Sequence, residues 1–301
     1  MISRRALTQG AIALLGSGVI GRSEAVANIG SSIADFSAAM QRIEAASGGR
    51  LGVAFLDTST GDKLGYRTDE RFAMCSTFKL LAVAAILSRV DRGEERLDRR
   101  IRFQASEVIS KSPIITAHVG GEGLSLAELC EAALTLSDNT AANLILAAIG
   151  GPSGLTGYIR TLGDAVTRLD RNEPALNEAV RGDERDTTTP RAMAENLRKL
   201  LLGDTLSKSS KERLTVWLVD CKTGGARLRA GLPKDWRVGD KTGTGEHGTA
   251  NDVAIGWPMA GSHPIPPLIL SVYLTQATVD AAACNAVLAS VARAAAATTV
   301  F

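Results

Sequence analysis

The order of strand-like and helix-like segments constrains the fold of this chain more than any other feature. Strand patterns lie near both ends of the sequence, at 50–56, 63–66, 236–242, 252–257 and 268–275. Between them, residues 76–220 have an almost wholly helical pattern. A single sheet that draws strands from both ends leaves the middle of the chain as an insert. We therefore predict an α+β fold in which helices flank an antiparallel sheet and an all-helical domain is inserted.

The predicted domain boundaries follow from this arrangement. Residues 28–68 and 219–301 are assigned to the α/β sheet domain, with terminal helices predicted at 31–46 and 279–297. Residues 69–218 are assigned to the all-helical domain. We expect a binding cleft where the two domains meet.

Composition excludes some classes of partner. The chain has 301 residues, is 45% hydrophobic and carries a formal charge of +2 from well-mixed acidic and basic residues. With only 4% aromatic residues and no long basic stripe, nucleic acid is not an expected partner. We expect a globular protein.

The first 27 residues have the pattern of an export signal. Ser3-Arg4-Arg5 precedes a short apolar stretch, Ala11 to Ile20, and the small residues Ala25-Val26-Ala27 form a cleavage site. The stretch is too short to span a bilayer, so no membrane anchor is expected after cleavage. Adjacent arginines resemble a twin-arginine signal, with an ordinary secretory signal as the alternative. Either signal predicts a mature chain, from about Asn28, that is periplasmic or secreted.

No metal or cofactor is expected. The histidines lack the paired spacing of zinc ligands; they are His118, His247 and His263. The cysteines match no metal motif and are predicted to be buried, their pairing being left open; they are Cys75, Cys130, Cys221 and Cys284. Residues 243–248 match a dinucleotide-binding glycine pattern, but a strand rather than a helix follows.

The most informative motif is Ser76-Thr77-Phe78-Lys79, which opens a strongly apolar helical run. Residues three apart share a helix face, so the Lys79 amine is expected near the Ser76 hydroxyl. Serine is a weak nucleophile unless a neighbour removes its proton, and lysine can do so if its pKa is lowered. Backbone N–H groups at the helix start could hold an oxyanion.

Two further motifs carry polar side chains toward the expected cleft. Ser137-Asp138-Asn139 lies in a turn between two helices, where capping alone would also explain it. Lys241-Thr242-Gly243 lies on a predicted strand, whereas the identical tripeptide Lys222-Thr223-Gly224 enters a turn. The strand copy allows the Thr244 backbone N–H to serve as a second oxyanion donor.

A charged loop at 168–177 contains Glu173 and Asn177. The later Asp186 could pair with Arg171 and close this loop. A closed loop would turn Glu173 inward, where its carboxylate and the Asn177 amide could hold a water molecule.

Together, in this order, the four elements resemble the class A serine β-lactamases. The resemblance covers the mature chain and implies the serine β-lactamase/transpeptidase fold. It implies hydrolysis of the amide bond of penicillins and cephalosporins through an acyl-serine, and hence antibiotic resistance, without metal or cofactor.

The resemblance also implies roles for individual residues. Ser76 would attack the lactam carbonyl, Lys79 would accept or relay its proton, and Ser137 would protonate the leaving nitrogen. Glu173 and Asn177 would position the hydrolytic water. The remaining roles concern the substrate: its carboxylate would bind Lys241 and Thr242, its acyl amide would bind Asn139, and its oxyanion would bind the N–H groups of Ser76 and Thr244. Gly243 is also assigned to the substrate site. Whether Lys79 or Glu173 is the acylation base stays open.

Several positions depart from common family patterns. Ala250 stands where many members have arginine, and Arg227 is our candidate for the second carboxylate contact. Lys111 occupies a cleft-edge position that is often aromatic. Cys75 precedes the nucleophile as in some carbapenem-hydrolysing members, but its partner position is Gly245, so their characteristic disulfide is not expected.

Two other functions are compatible with parts of this pattern. A penicillin-binding DD-peptidase or a β-lactam sensor would share the first three elements but needs no water-positioning Glu173. A non-catalytic peptidoglycan-binding module would form no acyl-enzyme. The sequence leaves open the spectrum among penicillins, cephalosporins and carbapenems, and the susceptibility to inhibitors.

Overall fold

The computed structural model describes the backbone of residues 20–61, 63–260 and 263–298, and the side chains of these residues except 20–33, 260 and 263–264. Residues 1–19 of the predicted export signal lie outside this description. The predicted cleavage site lies within it, on the first helix.

Helices form most of the middle of the chain. In chain order the helices are α1 (Ile20–Ser47), α2 (Phe78–Asp91), α3 (Pro113–Ala117), α4 (Leu126–Thr135), α5 (Asn139–Ala148), α6 (Gly151–Thr161), α7 (Pro190–Leu202), α8 (Lys208–Val219), α9 (Leu228–Gly231) and α10 (Ala281–Ala296). Single 3-10 turns occur at Cys75–Thr77, Ala105–Glu107 and Ala175–Asn177.

Strands lie mainly at the two ends of the chain. In chain order they are β1 (Arg50–Asp57), β2 (Lys63–Tyr66), β3 (Phe72–Ala73), β4 (Arg100–Ile101), β5 (Leu124–Ser125), β6 (Thr187–Thr188), β7 (Arg237–Gly245), β8 (Thr249–Trp257), β9 (Met259–Ala260), β10 (His263–Pro264) and β11 (Leu268–Thr275).

The main sheet has five antiparallel strands in the order β2-β1-β11-β8-β7. Two come from the N-terminal part of the chain and three from the C-terminal part, which confirms the predicted α+β fold. In the β7–β8 ladder, Thr242 lies opposite Asp252 and Gly243 lies opposite Asn251. This ladder forms the edge of the sheet that faces the inserted helices.

Each face of the sheet packs against its own hydrophobic core. One core joins β1, β8 and β11 to α2 and the surrounding helices. The other packs the opposite face against α1, α9 and α10. Every residue from Phe78 to Ser88 of α2 is buried, so α2 is the central helix of the inserted block. Its packing on all sides fixes the position of its N-terminus relative to the sheet.

The structure corrects two details of the sequence interpretation. Helix α1 begins at Ile20 rather than at residue 31, because residues 20–30 contain no proline and no strong helix-breaking run. The inserted block is not all-helical: β3 pairs with β6 and β4 pairs with β5. Ladders of two residues are too short to produce a period in the sequence.

The domain boundaries at 68 and 219 stay a prediction. Helix α7 belongs to the predicted helical domain, yet it packs against β1 and β11 of the sheet. Over the residues that the structure describes, no helix is both long enough and apolar enough to cross a membrane.

Two aspartates of the β7–β8 ladder are fully buried, Asp240 on β7 and Asp252 on β8. Asp240 forms an ion pair with Arg229, and one of its oxygens has no hydrogen-bond partner among the described residues. Asp252 accepts a hydrogen bond from the Leu228 backbone N–H at 3.1 Å. Burial and the nearby Asp240 carboxylate raise the pKa of Asp252 well above its usual range, against the opposing charges of Arg227 and Lys241.

Replacing Asp252 with Asn is expected to stabilise the protein at neutral pH. A carboxyl group whose pKa is higher in the folded state than in the unfolded state, where it is about 3.9, stabilises the fold fully only at a pH below 3.9. This stabilisation is lost as the pH rises through the folded-state pKa. Asparagine does not ionise, so the variant does not lose stability in this way. The melting temperature of D252N should therefore exceed that of the unmodified protein by about 2–4 °C near pH 8, roughly 1 kcal/mol, with a smaller excess near pH 4.

The matched control is Asp240→Asn, the same substitution at the neighbouring buried position. It removes the carboxylate partner of Arg229 and should lower the melting temperature. A D252N difference that does not change with pH would contradict the assigned protonation of Asp252.

Candidate active site

The candidate nucleophile lies on a tight turn that leads directly into α2. Ser76 is the middle residue of the 3-10 turn Cys75–Thr77. The Thr77 hydroxyl donates to the Met74 carbonyl at 2.9 Å and lies 3.1 Å from the Tyr273 hydroxyl of β11. The Met74 N–H donates to the Asp186 carbonyl at 2.9 Å. The turn is thus held both by the sheet and by the charged loop.

Lys79 is completely buried beside this turn. Its Nζ donates to the Ser137 carbonyl at 2.8 Å and to Asn139 Oδ1 at 2.7 Å, and it lies 3.0 Å from Glu173 Oε1. These three acceptors match the three N–H donors of an ammonium group. Burial lowers the pKa of Lys79, although the Glu173 charge opposes this shift.

Glu173 joins the nucleophile to the lysine. Its Oε1 accepts from the Ser76 hydroxyl at 3.2 Å and lies 3.0 Å from Lys79 Nζ. Its Oε2 accepts from Asn177 Nδ2 at 2.5 Å. The carboxylate is fully buried, and one of its oxygens contacts both Ser76 and Lys79. Burial strengthens these electrostatic contacts, because the effective dielectric constant is lower than in water.

The charged loop is closed by Asp186. One carboxylate oxygen of Asp186 accepts from the backbone N–H groups of Asp170 (2.7 Å) and Arg171 (2.9 Å), and the other accepts from Arg171 Nε at 2.6 Å. The Arg171–Asp186 pair that the sequence suggested is therefore formed, and Glu173 lies on the inner side of the closed loop.

The turn before α5 brings Ser137 and Asn139 into the same cluster. Asp138 caps α5 by accepting from the Ala141 N–H at 2.9 Å and points away from the cluster. The Ser137 hydroxyl lies between two lysines, 3.3 Å from Lys79 Nζ and 3.0 Å from Lys241 Nζ. Asn139 Nδ2 donates to the Ser110 carbonyl at 3.2 Å, which fixes the amide that contacts Lys79.

The strand copy of the repeated tripeptide reaches the site. Lys241 is fully buried, and burial together with the Lys79 charge lowers its pKa to about 8. Thr242 is buried, and its hydroxyl lies 2.5 Å from that of Thr223. The other copy of the tripeptide, Lys222-Thr223-Gly224, therefore lies next to the copy on β7, and its Thr223 hydroxyl contacts Thr242.

Gly243 lets β7 pass close to the nucleophile turn. A Cβ built at Gly243 would lie 2.7 Å from the Met74 carbonyl oxygen, closer than non-bonded carbon and oxygen atoms approach. The same close passage brings Thr244, the next residue of β7, beside the turn that carries Ser76.

Arg227 is only 9% exposed and is held mainly by protein groups. Its Nη1 donates to the carbonyls of Gly243 and Asn251, both at 2.7 Å, and its Nε donates to Asn285 Oδ1 at 2.9 Å. Its Nη2 donates to Thr244 Oγ1 at 2.7 Å. Among the described residues these contacts use four of the five guanidinium N–H donors, which leaves one N–H on Nη2 for other partners.

Lys111 lies at the rim of the site. It is exposed, and its backbone carbonyl accepts from the Asn139 N–H at 3.0 Å.

The four cysteines are free and buried. A Cβ built at Gly245 would lie 2.6 Å from Cys75 Sγ and 2.7 Å from the Asn177 carbonyl oxygen, so Gly245 separates the thiol from the charged loop.

Two residues of the site, Asn143 and Tyr273, belong to no recognisable sequence motif. Asn143 Oδ1 accepts from the Glu173 N–H and its Nδ2 donates to the Glu173 carbonyl, both at 3.0 Å. The only sequence signal for Asn143 was its position four residues after Asn139 on α5, whose other residues apart from Thr140 are apolar. Tyr273 lies in an apolar strand, and nothing in the sequence links it to Thr77.

A buried serine, lysine and glutamate in contact at the junction of a sheet and a helical block define a protein of the active-site-serine hydrolase class. A model of the β-lactamase enzyme family matches residues 35–299. β-Lactamase OXY-2 of Klebsiella oxytoca is 49% identical over 251 residues, which cover 83% of this chain and 85% of that protein. β-Lactamase CTX-M-97 of Escherichia coli is 47% identical over 254 residues, which cover 84% and 86%.

A solved structure agrees with these relatives. The class A β-lactamase named as the last common ancestor of Gram-negative bacteria is 59% identical, with a TM-score of 0.85 over 87% of this chain and 98% of that one. The chain belongs to the class A β-lactamase family.

Replacing Asp186 with Asn is expected to loosen the charged loop. The amide keeps one acceptor oxygen but places an NH₂ group against an N–H of the loop, which leaves a buried donor unsatisfied. We expect the free energy of unfolding to fall by about 1–3 kcal/mol. Limited proteolysis should then cut within residues 170–186 first. The control is Glu184→Gln at a mainly exposed acid between this loop and Asp186, expected to change stability by no more than about 0.5 kcal/mol. Equal protease sensitivity of the two variants would contradict this role of Asp186.

Proposed function

We propose that the protein hydrolyses the β-lactam amide bond of penicillins and cephalosporins through an acyl-serine intermediate, and so confers resistance to these antibiotics. The relatives named β-lactamases support this activity. The observation that carries it is the single carboxylate oxygen of Glu173 that contacts both Ser76 Oγ and Lys79 Nζ.

In the acylation step, Ser76 Oγ attacks the lactam carbonyl carbon while its proton leaves. The Ser76 hydroxyl already donates to Glu173, whereas all three Lys79 N–H donors are engaged with acceptors. This arrangement favours Glu173 as the first proton acceptor and Lys79 as the cation that holds the carboxylate in place. The C–N bond of the ring then breaks, and Ser137, between the two lysines, delivers a proton to the leaving nitrogen. Lys79 Nζ gives a proton to Ser137 and takes the one held by Glu173, so Glu173 is a carboxylate again before deacylation.

In the deacylation step, Glu173 takes a proton from a water that attacks the ester carbonyl. Asn177 Nδ2 fixes Oε2 of Glu173, while Asn177 Oδ1 is buried with no partner among the described residues. This acceptor can orient the same water. Hydrolysis releases the opened product and returns the proton to Ser76.

Substrate is held from the β7 side of the cleft. We assign its carboxylate to Lys241, Thr242 and Gly243, with Arg227 acting through the Thr244 hydroxyl and its one remaining N–H. We assign the oxyanion to the N–H groups of Ser76 and Thr244. The Asn139 amide and Lys111 at the rim contact the acyl side chain.

The alternative of a penicillin-binding DD-peptidase or sensor is disfavoured by the same geometry. An enzyme that stays acylated needs no carboxylate beside the ester, yet here Lys79, Asn177, Asn143 and a closed loop hold Glu173 against Ser76. We further propose that the chain acts as a monomer after export to the periplasm or medium, with the sheet and helical domains divided near residues 68 and 219.

A chromogenic cephalosporin assay tests the proposed activity. We expect turnover to continue through many equivalents of substrate and to survive treatment with a chelator, because no metal is assigned to the reaction. A single stoichiometric burst followed by an inactive acylated protein would instead support the DD-peptidase or sensor. A peptidoglycan-binding module would give no mass increment after penicillin treatment.

Replacing Glu173 with Ala is expected to trap the acyl-enzyme, because the ester loses the base that activates water. Intact-mass spectrometry after penicillin treatment should show a stable increment of one substrate mass, and turnover should fall by at least about 10²-fold. Glu184→Ala, at a mainly exposed acid between this loop and Asp186, is the control and should turn over normally. Preserved turnover with only free enzyme detected in E173A would refute the role of Glu173.

A further inference from the structure

Asn251 is a buried residue of β8 that the family motifs do not include. It lies directly opposite Gly243 in the β7–β8 ladder and is 1% exposed. A buried amide side chain needs hydrogen-bond partners, and here Nδ2 has them whereas Oδ1 has none among the described residues. Those partners indicate what the residue does.

The side chain of Asn251 bonds to the segment just before the nucleophile. Its Nδ2 donates to the Ala73 carbonyl at 2.9 Å and to the Met74 carbonyl at 3.1 Å. Met74 directly precedes the turn Cys75–Thr77 that carries Ser76. Both hydrogens of the amide are therefore used to attach β8 to the nucleophile turn.

Gly243 makes this attachment possible. A Cβ at that position would lie 3.3 Å from Asn251 Nδ2 and 2.7 Å from the Met74 carbonyl oxygen, in the space that the amide crosses. Arg227 Nη1 donates to the backbone carbonyls of both Gly243 and Asn251 at 2.7 Å, which locks the two strands at this register. Asn251 thus links the turn of Ser76 to the part of β7 that leads into Thr244.

We propose that Asn251 is a positioning residue that sets the separation of the two oxyanion-binding N–H groups, those of Ser76 and Thr244. The inference rests on the proposed hydrolase function. Oxyanion donors act only within a narrow range of distance, so a small displacement of the turn relative to β7 weakens binding of the tetrahedral transition state more than binding of the planar substrate.

The first test is Asn251→Ala, with two readouts. Turnover number on a chromogenic cephalosporin should fall about 10–100-fold, as expected for a small misplacement of catalytic groups. The affinity for a boronic acid that forms a tetrahedral serine adduct should fall by a similar factor, while KM changes little. Activity of N251A within twofold of the unmodified protein would overturn the inference. Absence of turnover in the unmodified protein would instead overturn the proposed function.

The second test is Asn251→Asp, which keeps the shape of the side chain. An ionised carboxylate is repelled by the carbonyl oxygens of Ala73 and Met74, whereas a protonated carboxyl group can donate a hydrogen bond to one of them. The activity of N251D relative to the unmodified protein at the same pH should therefore rise as the pH falls. The corresponding ratio for N251A should stay flat. A flat ratio for N251D as well would contradict the role of the Nδ2 donors.

The matched control is Thr249→Val on the same strand and the same face. Thr249 is buried and its hydroxyl lies 2.9 Å from that of Thr275, so this variant also loses a buried hydrogen bond of the sheet but not a contact with the nucleophile turn. T249V should melt at a lower temperature with unchanged turnover number and boronic-acid affinity. Equal losses in T249V and N251A would show that general destabilisation of the sheet causes the effect and would overturn the inference.

Discussion

The buried contact between Lys79 and Glu173 is the interaction on which the rest of the site depends. Removing two charges from water is costly, and a buried pair persists only when its other donors and acceptors are also satisfied. Here the ammonium group has two further acceptors, and the second carboxylate oxygen has the Asn177 amide. The charged loop, the turn before α5 and the start of α2 are therefore held together by one cluster of polar contacts.

This dependence explains the strong burial around so polar a site. Glu173 could not stay beside Ser76 if its loop were free, and the Arg171–Asp186 pair supplies the closure. Asn143 contacts both backbone groups of Glu173 and so fixes the loop to α5. The loop has little secondary structure, and these few contacts take the place of a helix or strand in fixing its shape.

The sequence predicted the parts of the fold and site that depend on local pattern. The fold class followed from strand patterns at both ends of the chain. Helical spacing predicted the Lys79 amine near the Ser76 hydroxyl, and in the structure Glu173 Oε1 contacts both groups. The choice of Lys241 over Lys222 followed from a strand context that the structure also has. The pairing of Arg171 with Asp186 followed from complementary charge across one loop.

The parts that the sequence did not reveal depend on long-range contacts made by common residues. Asn251 acts on a turn 177 residues earlier in the chain, and no spacing rule links them. Arg227 was expected to face substrate, but most of its donors bind backbone carbonyls and Asn285, which only the packing of α10 brings near. The two-residue ladders β3–β6 and β4–β5 are likewise fixed by packing and not by a period of their own.

The four cysteines have a consequence for the covalent chemistry of the chain. All are free and buried, and burial raises the pKa of the Cys75 thiol to about 12, so it carries almost no reactive thiolate at neutral pH. Glycine at 245 leaves Cys75 without a partner across the cleft edge. No oxidising catalyst is therefore needed for maturation, and the same native covalent structure is reached in a reducing compartment as in an oxidising one.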